Sequence, residues 1–210
     1  MKSIVTYETQ HGSAKRLASV IAKRVGALCV NVDTPFQAED ETAYDALILV
    51  FGFRGPYTAQ LTKLFAERMR SKLNYKHLIV VGEGLFSEKE FPVVAQGLRE
   101  IISPVSFHAF FMRGQLRVAT LTPEEQALLG KFSTLTGMKI TDMGEFSEKD
   151  AANIADEIAS VLDTLPVVED PNAGQSRWIC TVCGYVHTGE NPPESCPQCR
   201  QPGSVFKKME

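Results

Sequence analysis

A doubly wound α/β domain with a parallel five-stranded sheet, followed by a small metal-stapled tail, is the fold class that three features of the sequence predict. Short apolar runs alternate with amphipathic segments over roughly the first 165 residues. The middle runs, Asp45–Phe51 and His77–Gly82, are nearly continuous apolar stretches, as expected when both faces of a sheet are buried. Four of the five cysteines fall between Cys180 and Cys199, in a tail too short to fold on apolar burial alone. These features divide the chain into residues 1–165, a linker at 166–176 and a small domain at 177–210.

In chain order, Lys2–Tyr7 predicts the first strand. Ser13–Val25 follows as a helix, with Leu17, Val20, Ile21 and Val25 on one face. Ala27–Asp33 predicts a strand whose Cys29 is expected to be an inert packing thiol. After Asp45–Phe51, residues Thr58–Leu73 predict a helix that turns Leu61, Leu64, Phe65 and Met69 inward. His77–Gly82 and Val105–Met112 complete the strands. Thr122-Pro123-Glu124-Glu125 places an N-cap, a proline at the first helical position and a glutamate at the third, marking a helix start. Ser147-Glu148-Lys149-Asp150 opens the last helix, with Ala151, Ile154, Ile158, Val161 and Leu162 as its apolar stripe. From Pro166 to Ser176 prolines, glycine and polar residues break the pattern, and this linker extends to about 35 Å at most.

Composition narrows the function. The chain is 44% hydrophobic and 22% charged, with a net charge of −3, so it lacks the bulk positive field that attracts nucleic acid or anionic membrane. No run reaches the ~20 apolar residues of a bilayer span. The N-terminal residues do not resemble a secretion signal, and a cytoplasmic protein is the expectation.

The tail carries the sharpest signal. Cys180-x2-Cys183 and Cys196-x2-Cys199 each present two thiolates, and a chain reversal across the twelve intervening residues completes a tetrahedral set of four sulfurs. Gly184 and Pro197 suit the tight turns beside such ligands, because a positive φ at Gly184 lets amide N–H groups face the sulfurs. The chemistry of four thiolates admits zinc or iron. His187 is expected to pack or face solvent, since four thiolates fill the site. The stretch Trp178–Glu190, with its Cys-Gly-Tyr-Val-His element, and Pro192–Cys199, with its Cys-Pro-x-Cys element, resemble the rubredoxin-like domain that ends rubrerythrins. That resemblance implies one iron ion cycling between ferric and ferrous states on Cys180, Cys183, Cys196 and Cys199.

A second site is expected where strand one meets helix one. The loop Thr9, Gln10, His11, Gly12, Ser13 and Ala14 can turn N–H groups and a helix dipole towards a phosphate. It contains neither GxGxxG nor GxxxxGK[ST], which disfavours dinucleotides and P-loop nucleotides. This loop, together with Gly52-Phe53-Arg54-Gly55-Pro56-Tyr57 and Arg113-Gly114-Gln115-Leu116-Arg117, resembles flavodoxins over Met1–Leu165, with greatest likeness to the branch containing quinone-linked protoporphyrinogen oxidases. The resemblance implies FMN, with its phosphate in the first loop. Gly52–Tyr57 and Glu83, Gly84, Leu85 and Phe86 would then flank the ring, beside Gly114, Gln115, Leu116 and Arg117. Phe53, Tyr57 and Phe86 are the stacking candidates, and Arg54 and Arg117 the candidates to steady reduced flavin. Flavodoxins commonly place threonine where this chain has Ala14, which removes a hydroxyl contact that Ser13 could replace. His11 is expected to offer its backbone N–H, and His77 and His108 to be structural.

No nucleophile and base are paired in the sequence, so the cofactors would carry the chemistry. The expected function is electron transfer between FMN and a four-cysteine iron, with redox proteins or a small-molecule reductant as partners and a homodimer as one arrangement. Two alternatives stand beside it: a protoporphyrinogen oxidase-like flavoenzyme, and a zinc-ribbon interaction module on a flavodoxin fold.

Overall fold

A computed structural model describes residues 1–33, 44–53, 62–64, 66–67, 76–85, 88–167 and 174–209. Five strands, β1 (Ser3–Glu8), β2 (Leu28–Asn31), β3 (Ala46–Gly52), β4 (His77–Gly84) and β5 (Ser106–Arg113), form one parallel sheet in the order β2-β1-β3-β4-β5. Each strand begins or ends within one or two residues of its expected bounds. The Arg54, Gly55, Pro56, Tyr57 and Phe86 expectations lie outside the described residues.

Alternation along the strands builds two cores. One face of the sheet presents Val5, Ile48, Val50, Ile79 and Val81 to helix α1 (Ser13–Val25) and to a C-terminal helix (Glu148–Thr164). The other presents Ile4, Leu47, Leu49, Phe51, Leu78 and Val80 to α2 (Phe91–Ile102) and to Ala66. Each fully buried leucine or isoleucine contributes about 1.5–3 kcal/mol. The expected stripe of α1 holds: Leu17 and Ile21 are buried, and Val20 and Val25 pack against the same cluster.

Between β5 and the C-terminal helix lies α3 (Pro123–Thr136), opened by the expected Thr122–Glu125 capping box. It buries no residue. The C-terminal helix, α4 (Glu148–Thr164), seats Ala151, Ala155 and Ile158 against α1, with Ile154, Val161 and Leu162 at the margin. Arg24 to Asp156 and Arg16 to Glu148 clasp the same pair of helices from the surface.

One expectation is corrected at Leu64; its companions Leu61, Phe65 and Met69 lie outside the described residues. Residues 62–64 and 66–67 are helical, but Leu64 is 62% exposed while Thr62 and Ala66 are buried. The Glu8 carboxylate accepts from both the amide and the hydroxyl of Thr62, each at 2.7 Å, which makes a buried polar side chain acceptable there.

The tail forms its own antiparallel sheet, ordered β7-β6-β8, from β6 (Arg177–Cys180), β7 (Val186–Thr188) and β8 (Phe206–Met209). Its core is Cys180, Cys196 and Phe206, flanked by Trp178 and Tyr185.

Candidate functional site

The sheet order places β1 and β3 side by side with their next neighbours on opposite flanks, so a crevice opens at their carboxyl ends, the usual ligand position in such sheets. The loop leaving β1 crosses this end. Gly12 adopts φ +89°, its N–H donates to Thr9 Oγ1 at 2.9 Å, and no side chain caps the helix α1 that begins at Ser13. The amide end of α1 is therefore exposed to solvent beside an open backbone, the arrangement that accepts a phosphate. Ala14 is buried in the core beneath α1.

Glu83, at the end of β4, is 4% exposed, and its Oε2 accepts from Ser13 Oγ at 2.7 Å. Its backbone carbonyl accepts from Phe53 N at 2.6 Å, and Gly84 O accepts from Gly114 N at 2.9 Å. These bonds draw the ends of β3, β4 and β5 together under the first loop. Gly114 lies against the Glu83 carboxylate, so closely that a Cβ would sit 2.0 Å from Oε1.

Several expected site residues have different surroundings from those the sequence implied. Phe53 is 4% exposed and packs edge-on against Phe91 at 6.4 Å, so its ring belongs to the core. Arg117 Nη1 donates to the carbonyls of Leu116 and Gly144 at 3.1 and 3.0 Å and thereby fastens the segment returning to α4, where Leu116 bridges Met143. His11 uses its ring: Nε2 lies 3.0 Å from Glu125 Oε1, tying the first loop to the start of α3. His77 is 1% exposed, with Nδ1 2.7 Å from Ser106 Oγ and Nε2 2.9 Å from the Pro166 carbonyl oxygen. A carbonyl only accepts, so Nε2 carries a proton and donates it to Pro166. Gly52, Gln115 and Leu85 border the same carboxyl end of the sheet as Glu83 and Gly84.

In the tail, the Sγ atoms of Cys180, Cys183, Cys196 and Cys199 lie within 4.8 Å of one another. The pairs Cys183–Cys196 and Cys180–Cys199 stand at 3.5 and 3.6 Å. Four sulfurs at ~2.3 Å from one ion form a tetrahedron with edges of about 3.8 Å, so the cluster fits a metal. Gly184 has the expected positive φ, +76°. Burial pushes the Cys183 thiol up to about 12, against the opposing pull of the Tyr185 amide. Burial also raises Cys196, but amide N–H groups of Cys199 and Gln198 outweigh it and bring that thiol down to about 7. Amides aimed at sulfur stabilise thiolates, and they remain in place as hydrogen-bond donors to a ligated sulfur. His187 is in β7, paired opposite Trp178 and outside the sulfur cluster.

The sheet and its carboxyl-end loops define a flavin-type doubly wound domain, and the tail a four-cysteine metal domain. The family model described as a flavodoxin domain matches residues 4–141, well over half of the chain, and the chain belongs to that family. The model described as the rubredoxin-like domain of rubrerythrin matches residues 178–207. Oxidised flavodoxin 1 from Bacillus cereus superposes with a TM-score of 0.50 at 16% identity, covering 79% of this chain and 100% of that one, which supports the fold. The tail is 44% identical over 34 residues to rubrerythrin of Nitratidesulfovibrio vulgaris, covering 16% of this chain and 18% of the relative. It is 50% identical over 31 residues to a protein named as a rubrerythrin in Methanocaldococcus jannaschii, covering 15% of each. The chain thus spans less than a fifth of the length of these curated relatives. A flavodoxin domain implies FMN, and the four cysteines imply a metal. Among the described residues, no helix is long and apolar enough to cross a membrane.

Proposed function

We propose that this chain is an electron carrier that exchanges electrons between FMN and one iron ion held by four cysteines. The observation that carries this reading is the joining of a flavodoxin-ordered sheet to a sulfur cluster of tetrahedral size. Thr9, Gln10, His11, Gly12, Ser13 and Ala14 would cradle the phosphate at the uncapped end of α1. Gly52–Tyr57, Glu83–Phe86 and Gly114–Arg117 would border the ring. When bound, FMN supplies one- or two-electron chemistry and the iron supplies one-electron chemistry.

The protein's own part is positional. Ser13 and Glu83 fix the base of the first loop, His11 and Glu125 its outer side, and the amides of Tyr185, Gln198 and Cys199 the polarity around the sulfurs. Zinc would fill the same tetrahedron without a redox role. The test is a visible spectrum with metal analysis on full-length protein purified without air. Superposed flavin and ferric-thiolate absorption, one iron per chain and release of FMN on denaturation support the reading. A colourless protein holding zinc overturns it.

A further inference from the structure

The small domain is tethered at the far end of the sheet from the loops around which the flavin reading is built. His77 is the first residue of β4, and its Nε2 holds the Pro166 carbonyl at 2.9 Å. The linker therefore departs from the amino ends of the strands, whereas Thr9–Gly12 and Glu83–Leu85 lie at the carboxyl ends. Eight-residue β4 sets this height at roughly 26 Å. The ten residues from 167 to 176 reach about 34 Å at most when drawn straight. Serving the flavin of its own chain would stretch this tether to about three quarters of its full reach, a span that docking on a second copy does not require.

A landing surface stands at the flavin end. Helix α3 buries none of its residues, yet Leu128, Phe132 and Leu135 fall on one stripe and are 67%, 42% and 86% exposed. Glu124 lies on that stripe one turn earlier, and the His11–Glu125 contact fixes the helix beside the first loop. The metal domain carries a matching tip. Val182, between two ligands, is 60% exposed, and the exposed Arg200 follows the ligand Cys199. Each surface thus offers an exposed apolar side chain beside a charge, and the two charges are opposite in sign.

We propose that the metal-bearing tip of one chain docks on α3 of a second copy, with Val182 on the Leu128–Leu135 stripe and Arg200 on Glu124. The exchange is reciprocal, so two copies close on each other. The inference rests on the FMN–iron reading for its purpose, but the surfaces themselves are independent of it.

Sedimentation velocity of the full-length, metal- and flavin-loaded protein is the test. Wild type is expected to show a concentration-dependent dimer. Leu135→Glu should weaken it at least tenfold with flavin and metal spectra unchanged. Glu124→Lys and Arg200→Glu should each weaken it several-fold, and the pair together should restore it. A monomer at all concentrations, or a dimer indifferent to Leu135→Glu and to the charge exchange, overturns the docking. A second arm mixes flavin-stripped chains with metal-free Cys183→Ser chains and follows ferric absorbance after flavin reduction, one electron per iron. Bleaching in the mixture supports transfer between copies. Bleaching confined to doubly loaded chains, at a rate independent of concentration, overturns it while the relay stands. If iron stays ferric beside reduced flavin in wild type, the relay reading fails, and the sedimentation result alone decides the docking.

Discussion

Ser13 and Glu83, 70 residues apart, meet through a 2.7 Å hydrogen bond at the base of the proposed phosphate loop. The contact puts a buried carboxylate under the positive end of α1, where a phosphate would also be attracted. Glu83→Gln keeps an acceptor for Ser13 but removes the charge. We expect it to tighten FMN binding by roughly two- to fivefold, in line with ~0.3–1 kcal/mol for a charge at a helix terminus. Glu83→Ala should instead lower stability by about 1–3 kcal/mol by stranding the hydroxyl. Flavin fluorescence titration and urea unfolding separate the two effects, and weaker FMN binding by Glu83→Gln would reverse the assignment.

Gly12→Asp should weaken FMN at least tenfold. The position holds φ +89° and faces open space, so the substitution adds backbone strain and a negative charge at once. Apoprotein titration with FMN and with riboflavin checks it: the loss should be large for the phosphorylated flavin and small for the other.

Cys183→Ser should abolish metal retention and unfold residues 177–209, with the flavodoxin domain intact. The tail's core is made of its own ligands, Cys180 and Cys196, with Phe206, and such small folds depend on their ion. Metal analysis together with near-ultraviolet signals from Trp178, the single tryptophan, reports both losses. Full metal content in the variant would count against the four-thiolate site.

His77→Ala should cost about 1–3 kcal/mol, because it removes the partner of the Ser106 hydroxyl and of the Pro166 carbonyl at a part-buried junction. His77→Gln should recover part of this. Urea unfolding measures the loss, and limited proteolysis near residue 174 should quicken as the base of the linker is released.

Much of this architecture was legible in the chain itself. Helix α1 was bounded correctly because its stripe ends at a glycine, and the four cysteines announced their cluster by spacing alone. Helix α2 is poorly marked in the sequence, although Phe91, Val94, Ala95, Leu98 and Ile102 repeat at helical spacing. Its N-cap is Glu90, which makes no capping bond, so the start carries no marker beyond Pro92. The burial of Thr62 has no local mark, because the carboxylate that permits it lies 54 residues away. The hold of the Arg117 guanidinium on a carbonyl 27 residues later likewise has no local mark in the sequence. The apolar stripe of α3 gave no warning of exposure, since an unburied stripe and a buried one are written alike.

The seating of α4 on α1 has a consequence for synthesis. The first helix of the chain completes its burial only against the last helix of its domain, so the apolar side of Leu17 and Ile21 cannot be fully covered until residues 148–164 have been made. A nascent chain arrested before Glu148 therefore carries a bare, aggregation-prone helix face, while one arrested after Pro166 already owns a closed domain. The metal domain is translated afterwards, behind a spacer, and can capture its ion with its neighbour already folded.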